Sequence, residues 1–289
     1  LNFIKNLEIQ LANNAGSCKG ETVPRKITII TPSLNSLNLL KETAYSILNQ
    51  KALLVKDVEL EYIIQDGGST DGTSEWIDSL QHPCIRYSSE KDKGMYEALA
   101  KGLSITTGDV IGYLNCGDYL SPYAFDIISR VFLDVKIRWF TGYNTWYNHD
   151  GYMISANLPF RYRRGLIRKG IYHKFNLFIQ QESTFWRQDL MPELDLEKLS
   201  AYRLAGDYFI WTSFAKITEL HIAKAYVGGF RHHRGQLSEE KEKYKAELDS
   251  IVDPQGGLLD YMTGLADLLR WYLPDRIKIA LNPNIIRFD

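Results

Sequence analysis

The feature that most constrains this chain is an alternation in its first half, in which short Ile-rich apolar runs are separated by stretches with apolar residues at helical spacing. "KITIITPS", from Lys26, is such a run; Pro32 closes it, and it reads as a buried strand. Leu39, Leu40, Thr43, Ala44, Ile47 and Leu48 then recur near a 3.6 period, which predicts a helix over 38–50 with one face on a sheet. The pattern repeats. "ELEYIIQ" is a second strand, Trp76, Ile77 and Leu80 mark a helix, and "CIRYSS" is a short third strand. Met95, Ala98, Leu99, Gly102 and Leu103 trace another helical stripe, and "DVIGYLN" is a fourth strand. Ser121 and Pro122 fit the N-cap and first turn of a helix carrying Ala124, Ile127, Ile128 and Val131.

Strands joined by helices of this length require parallel pairing in an α/β layered domain, whose ligands sit beyond the carboxyl ends of the strands. The residues just past each strand are therefore the informative ones. "TPSLN" comes after the first, "QDGGSTDGT" after the second and "NCGD" after the fourth, so polar and glycine-rich segments gather at one edge, the candidate site. With 289 residues, 45% of them hydrophobic and 24% charged, the chain can bury a sizeable core. Its formal net charge of −1 excludes a strongly basic nucleic-acid binder, so no nucleic-acid partner is expected. Cys18, Cys84 and Cys116 lie far apart without a C-x-x-C pair, which points to reduced thiols and a cytoplasmic setting. No apolar run approaches the ~18 residues of a membrane helix, and no basic-then-apolar leader is present. The chain does not begin with Met and reads as trimmed, so a leader or neighbouring domain outside it stays open.

Several residues carry chemistry, each with a plainer reading beside it. Asp118, just past the fourth strand, can reach a Mg²⁺ or Mn²⁺ that bridges phosphate oxygens, with Asn115 assisting through its amide; equally, it can cap the following helix. Asp66 ends the second strand before Gly67 and Gly68, which permit close backbone approach to a ligand, although Asp-Gly also forms ordinary turns. Cys116 is read as a small apolar filler rather than a nucleophile.

Together, "ITIITPSLN", "EYIIQDGGSTDGT" and "DKGMYEALAKGLSITTGDVIGYLNCGD" resemble, in order and separation, the nucleotide-binding half of bacterial family 2 glycosyltransferases with the GT-A fold. The likeness is close over about 26–135 and weaker to about 250. It implies a Rossmann-like nucleotide-binding sheet with an acceptor-binding C-terminal half. It also implies an inverting enzyme that moves a sugar from a nucleotide diphosphate, UDP by default, to a hydroxyl of a saccharide or lipid-linked acceptor. Asp66 matches the aspartate that binds the nucleobase, and Pro32, Ser33 and Asn35 match the loop that wraps the nucleoside. Asp118 matches the last aspartate of the metal motif, but Asn115 and Gly117 stand where fuller motifs are acidic, so a less tightly held metal is expected. Lys93 would contact the diphosphate or sugar, and Gln181 the donor or acceptor sugar. "YRLAGDYFIWTSF" resembles the segment carrying the catalytic base, which makes Asp207 the base and Glu182 its rival. His233 resembles a histidine that returns to the metal, with Arg231 or Arg234 as alternative phosphate clamps.

The remaining segments are less specific. Arg161, Arg163, Arg164, Arg168 and Lys169 form a charge run that is by default a solvated loop, with a lipid-linked pyrophosphate or peripheral membrane contact as the functional reading. Trp139, Tyr143, Trp146 and Trp186 offer a sugar-stacking platform, although core packing accounts better for most of them. A helix is expected from Ser238, with Glu239 pairing Lys243, and an amphipathic piece over Leu258–Tyr272. The expected organisation is an extension over 1–25, a nucleotide-sugar half over 26–135, an acceptor half over 136–250 and a helical extension over 251–289. Two other classes compete. A sugar nucleotidyltransferase needs a glycine-rich basic loop after the first strand, which "TPSLNSLN" lacks; a degenerate, non-catalytic glycan or nucleotide binder remains the alternative.

Overall fold

The computed structural model describes residues 26–54, 57–232, 236, 240–252 and 255–288. The expected alternation forms. β1 (Lys26–Ser33), β2 (Glu59–Asp66), β3 (Ile85–Ser89) and β4 (Val110–Tyr113) are mutually parallel in the order β4-β1-β2-β3. The sheet then continues beyond β4 through β9 (Thr184–Arg187), β6 (Trp139–Thr141), β10 (His221–Ala223) and β12 (Ile285–Ile286) to eight strands. β9 is antiparallel to both β4 and β6, and it is the strand that joins the two parts of the sheet. A second, four-stranded sheet in the order β5-β11-β7-β8 is built from β5 (Tyr119–Leu120), β7 (Asn144–Tyr147), β8 (Met153–Asn157) and β11 (Gly228–Arg231).

Ile27, Ile29, Leu60, Tyr62 and Ile64 are buried on one face of the sheet, against Leu40, Ala44 and Ile47 of the helix Leu37–Leu48. Ile30 and Ile63 point to the other face, where Leu99 and Leu103 of the helix Met95–Ser104 pack with Trp139, Trp186 and Trp211. Period-2 strands covered on both faces explain the near-continuous apolar runs in the sequence. Trp139 and Trp186 are fully buried in this aromatic core, stacked or edge-on to Trp211 and Phe214, so they serve packing.

Two boundaries differ from expectation. The helix after β5 runs Ala124–Val131 with Tyr123 at its N-cap; Ser121 and Pro122 lie in the turn before it, where the Ala124 N–H donates to the Ser121 carbonyl. The late helix is described from Lys241 to Ile251; Ser238 and Glu239 lie outside the described residues, and Lys243 pairs with Glu240. The basic run is largely consumed inside the fold. Arg163 forms a two-pronged ion pair with buried Asp267 at 2.8 and 3.0 Å, Lys169 holds Asp260, and Arg164 donates to the Ala215 and Lys216 carbonyls.

Candidate active site

Register places the site. Ser33 at the end of β1 pairs with Asp66 at the end of β2, and Ile30 pairs with Tyr113 at the end of β4, so the segments leaving these strands open at one edge. β9 runs the other way, with Ile111 opposite Trp186, so its first residue lies near the end of β4. The 3₁₀ turn Gln181–Ser183, just before β9, therefore stands at the same edge as Asn115–Asp118. β11 passes so close to this turn that a Cβ on Gly228 would run into the Glu182 carbonyl, so only glycine fits there.

At the β1–β2 side, Asp66 is 2% exposed and gathers donors from its own neighbourhood. It accepts hydrogen bonds from the Ser69 N–H at 2.9 Å, the Ser69 hydroxyl, the Ser89 hydroxyl at 2.6 Å and, more distantly, the Tyr87 hydroxyl at 3.4 Å. Asn35, at φ +47°, receives the Thr70 N–H on its Oδ1 and gives its own N–H to the Ser69 hydroxyl. Gly67 donates to the Ser33 carbonyl, and its open side meets Asp92. The Pro32–Asn35 loop and "DGGST" thus form one hydrogen-bonded unit. Lys93 is exposed beside it, in the turn before the helix Met95–Ser104, with its backbone N–H on Glu97.

Deeper in the cleft, Asp118 and Glu182 are 2% and 4% exposed and share a hydrogen bond. Burial pushes the Asp118 carboxyl well above the ordinary carboxylate range and the Glu182 charge adds to this; burial likewise raises Glu182 to about 7. Two buried acids in contact cannot both ionise cheaply, so each disfavours proton loss from the other. The Arg231 N–H donates to Asp118 Oδ1 at 3.0 Å. Thr43 fixes the turn, its hydroxyl accepting from the Gly117 N–H at 2.8 Å and facing the Asp118 carbonyl at 2.9 Å. Asn115 donates to Gln181 Oε1 at 3.2 Å, and Gln181 in turn donates to the Tyr113 carbonyl. Cys116 packs with the core, its thiol on the Pro32 carbonyl and pushed up to about 12 by burial.

Asn115 Oδ1 is buried without a hydrogen-bond partner among the described residues. Together with the Asp118 and Glu182 carboxylates it makes a set of hard oxygen donors, the kind Mg²⁺ and Mn²⁺ prefer. A divalent charge there would favour the ionised pair, reversing the effect of burial. The residues present therefore fit such a cation, although the described residues contain no group of three His, Cys, Asp or Glu side chains placed to hold one. His233 and Arg234 lie outside the described residues. Arg231 is engaged with Glu42 and the His149 carbonyl, its guanidinium 5.4 Å over the Tyr119 ring.

Asp207 stands in the first turn of the buried helix Gly206–Ala215, where the N-terminal end favours negative charge. It accepts from the Tyr208 N–H at 2.7 Å and the Tyr96 hydroxyl at 3.4 Å, and from the Tyr244 hydroxyl. Desolvation nonetheless dominates and lifts it to about 6. Its charge is felt by both Glu182 and Tyr113, which ties it to the carboxylate pair. Gly206 is required because a Cβ there would strike the Tyr96 ring. Glu247 accepts the N–H groups of Arg203, Leu204 and Ala205, anchoring the segment that leads into this helix. Tyr96, Tyr244, Thr43 and Glu247 carry no motif of their own in the sequence; only Tyr96, beside the "DKG" turn, had a nearby one to point to it.

Residues 28–131 match the family model described as glycosyl transferase family 2, and this segment belongs to that family. Chondroitin synthase of Pasteurella multocida (strain Pm70) is 32% identical over 157 residues, 53% of this chain and 16% of that protein. Chondroitin synthase of Escherichia coli is 29% identical over 157 residues, 53% of this chain and 22% of that protein. The chain thus spans a minor part of the curated relatives it matches. Among solved structures, S. aureus TarS 1–349 in complex with UDP-GlcNAc superposes with a TM-score of 0.57 at 13% identity, covering 88% of this chain and 69% of TarS 1–349. The mannosyltransferase PcManGT of Pyrobaculum calidifontis, in complex with GDP-Man and Mn²⁺, gives 0.56 at 13% identity, covering 95% and 79%. Glucosyl-3-phosphoglycerate synthase of Mycobacterium tuberculosis, with Mn²⁺, UDP and phosphoglyceric acid, gives 0.51 at 18% identity, covering 83% and 78%. At these identities the likeness speaks to fold, and the fold is that of the GT-A glycosyltransferases.

Proposed function

We propose that this chain is an inverting glycosyltransferase that moves a sugar from a nucleoside diphosphate donor to a hydroxyl of a saccharide or lipid-linked acceptor. The observation that carries the reading is Asp207: a carboxylate raised to about 6 by burial, cradled by two tyrosine hydroxyls and within electrostatic reach of the Asp118–Glu182 pair. Above that value it is ionised and accepts the acceptor proton as the oxygen attacks the anomeric carbon. The new glycosidic bond forms as the bond to the diphosphate breaks, and attack from the face opposite the leaving group inverts the centre. Asp66, Gly67 and the Pro32–Asn35 loop hold the nucleoside, Lys93 meets the diphosphate or sugar, and Gln181 orders Asn115 beside the donor. Asp118 and Asn115 would hold Mn²⁺ or Mg²⁺, which when bound neutralises charge on the leaving diphosphate; His233 is the further ligand proposed.

The structural neighbours were solved with UDP-GlcNAc, with GDP-Man and Mn²⁺, and with UDP and Mn²⁺, which supports a nucleoside diphosphate donor, UDP first, and a divalent cation. The names of the curated relatives support polysaccharide assembly as the setting. No helix among the described residues is long and apolar enough to cross a membrane; a cytoplasmic location with peripheral contact at the inner membrane face is part of the proposal. The sparse acidic set at Asp118 favours a second reading, a nucleotide binder without turnover. Donor hydrolysis separates them: wild type should release free sugar from a UDP-sugar with Mn²⁺, and Asp207→Asn should bind UDP without doing so. Nucleotide-dependent thermal shifts with no hydrolysis or transfer would establish the binder instead.

A further inference from the structure

The helix Leu258–Trp271 is amphipathic in an inverted sense. Its charged side chains face the protein: Asp260 is held by Lys169, and Asp267, fully buried, by Arg163 and the Tyr172 hydroxyl. Gly264 packs against Ile171 and Phe175, and Trp271 against Tyr162, on that same inner face. The opposite face is apolar and uncovered among the described residues. Leu258, Met262, Leu265, Leu269 and Tyr272 are 76%, 59%, 48%, 67% and 78% exposed. Their steps of four, three, four and three residues are those of a heptad seam, with Leu258, Leu265 and Tyr272 at one core position and Met262 and Leu269 at the other. Ile277 and Leu281 of the following helix, Asp275–Leu281, are also exposed.

We infer that this seam is the contact between two copies of the chain, paired helix to helix across a two-fold axis. Three observations select a second copy. The spacing suits a facing helix, with Leu259 and Tyr261, 78% and 39% exposed, widening the face on either side, whereas a membrane-surface helix has its apolar face bordered by Lys and Arg. Here the only basic residue of the helix, Arg270, is turned back onto the Ala266 carbonyl and the Phe160 ring. The seam itself bears no charge, so a copy facing itself meets no like-charge repulsion and is self-complementary, as a two-fold contact demands. With Leu259, Ile277 and Leu281 at its margins, the exposed apolar surface is on the order of several hundred Å² per copy, approaching the ~800 Å² per partner of stable interfaces. The inference is independent of the catalytic reading.

The test is the mass of the whole chain in solution, by light scattering and sedimentation across roughly 1–100 µM. The 33.3 kDa chain should approach twice that mass as concentration rises. Leu265→Glu/Leu269→Glu, which places two charges in the seam, should weaken association by at least ~100-fold. The same variant should keep the wild-type circular dichroism melt, and Leu265→Met/Leu269→Met should keep the dimer. A wild-type chain that stays monomeric throughout, or a dimer indifferent to the two glutamates, overturns the inference. So does a monomer that co-sediments with phosphatidylcholine–phosphatidylglycerol vesicles in a Leu269-dependent way, which would assign the face to a lipid surface.

Discussion

The two sides of the cleft are built on opposite principles. Around Asp66 the polar groups satisfy one another locally: its main partner, Ser69, lies three residues away, and Asn35 closes the unit by meeting Thr70. Around Asp118, Glu182 and Asp207, acids from distant segments are brought within electrostatic reach of one another, the first two buried and raised together and the half-buried third lifted to about 6. The first side is a preorganised cradle. The second stores an electrostatic penalty, which the cation and proton transfer proposed above would relieve.

The contrast is most exposed at Asp207. Asp207→Asn should lower transfer and donor hydrolysis by roughly 10²–10⁴-fold while leaving UDP binding intact. Because the folded value lies above the ordinary 3.8, the ionised carboxylate opposes folding, and stability should fall as pH rises from 3.8 through about 6. At pH 7.5, then, Asp207→Asn should melt no lower than wild type; a clear drop in melting temperature would show Asp207 to be a structural anchor. Asp118→Ala should come next, with about a 10²-fold loss of activity and disappearance of the Mn²⁺-dependent part of the UDP thermal shift. A metal-linked shift that survived would move the cation away from Asp118.

Asp66→Ala should behave in the opposite sense to Asp207→Asn. It leaves the half-buried Ser69 hydroxyl and the exposed Ser89 hydroxyl without their acceptor, a loss of roughly 1 kcal/mol visible as a lower melting temperature, together with weaker UDP binding. If it were neutral in stability, the two sides of the cleft would not differ as described. The smallest effect is expected from Tyr244→Phe. Removing a donor to the ionised carboxylate raises the Asp207 value further, so the acid limb of the rate profile should move to higher pH, with a few-fold lower rate at pH 6 and little change at pH 8.

The same division explains what could be read from the sequence. β1 to β4, their helices and the polar edge follow from local periodicity and turn chemistry, so Pro32–Asn35, Asp66 and Asp118 were placed by pattern alone. Glu182 and Asp207 carry no local signal. Their proximity depends on β9 entering the sheet antiparallel between β4 and β6, a long-range pairing that no window of sequence contains, and only the family resemblance singled out Asp207. Tyr244 and Glu247 were invisible for the same reason, since a polar helix over 241–251 looks like any solvated helix until its partners are known. Within the basic run, the partners of Arg163 and Lys169 are equally hidden from a local reading, since Asp267 and Asp260 lie about a hundred residues later.

The Tyr244–Glu247 face also sets a limit on dissection. The matched family segment ends at residue 131, and it contains the parallel strands that carry the Asp66 side of the cleft. A fragment that kept everything through Arg231 would retain all three carboxylates, yet it would lose the hydroxyl that tunes Asp207 and the carboxylate that ties down Arg203 to Ala205. The shortest fragment in which Asp207 keeps its surroundings must therefore extend past Leu248, which packs on Ala205 and Tyr208. A domain exchange designed at the family boundary would carry over the Asp66 unit and leave Asp207 behind.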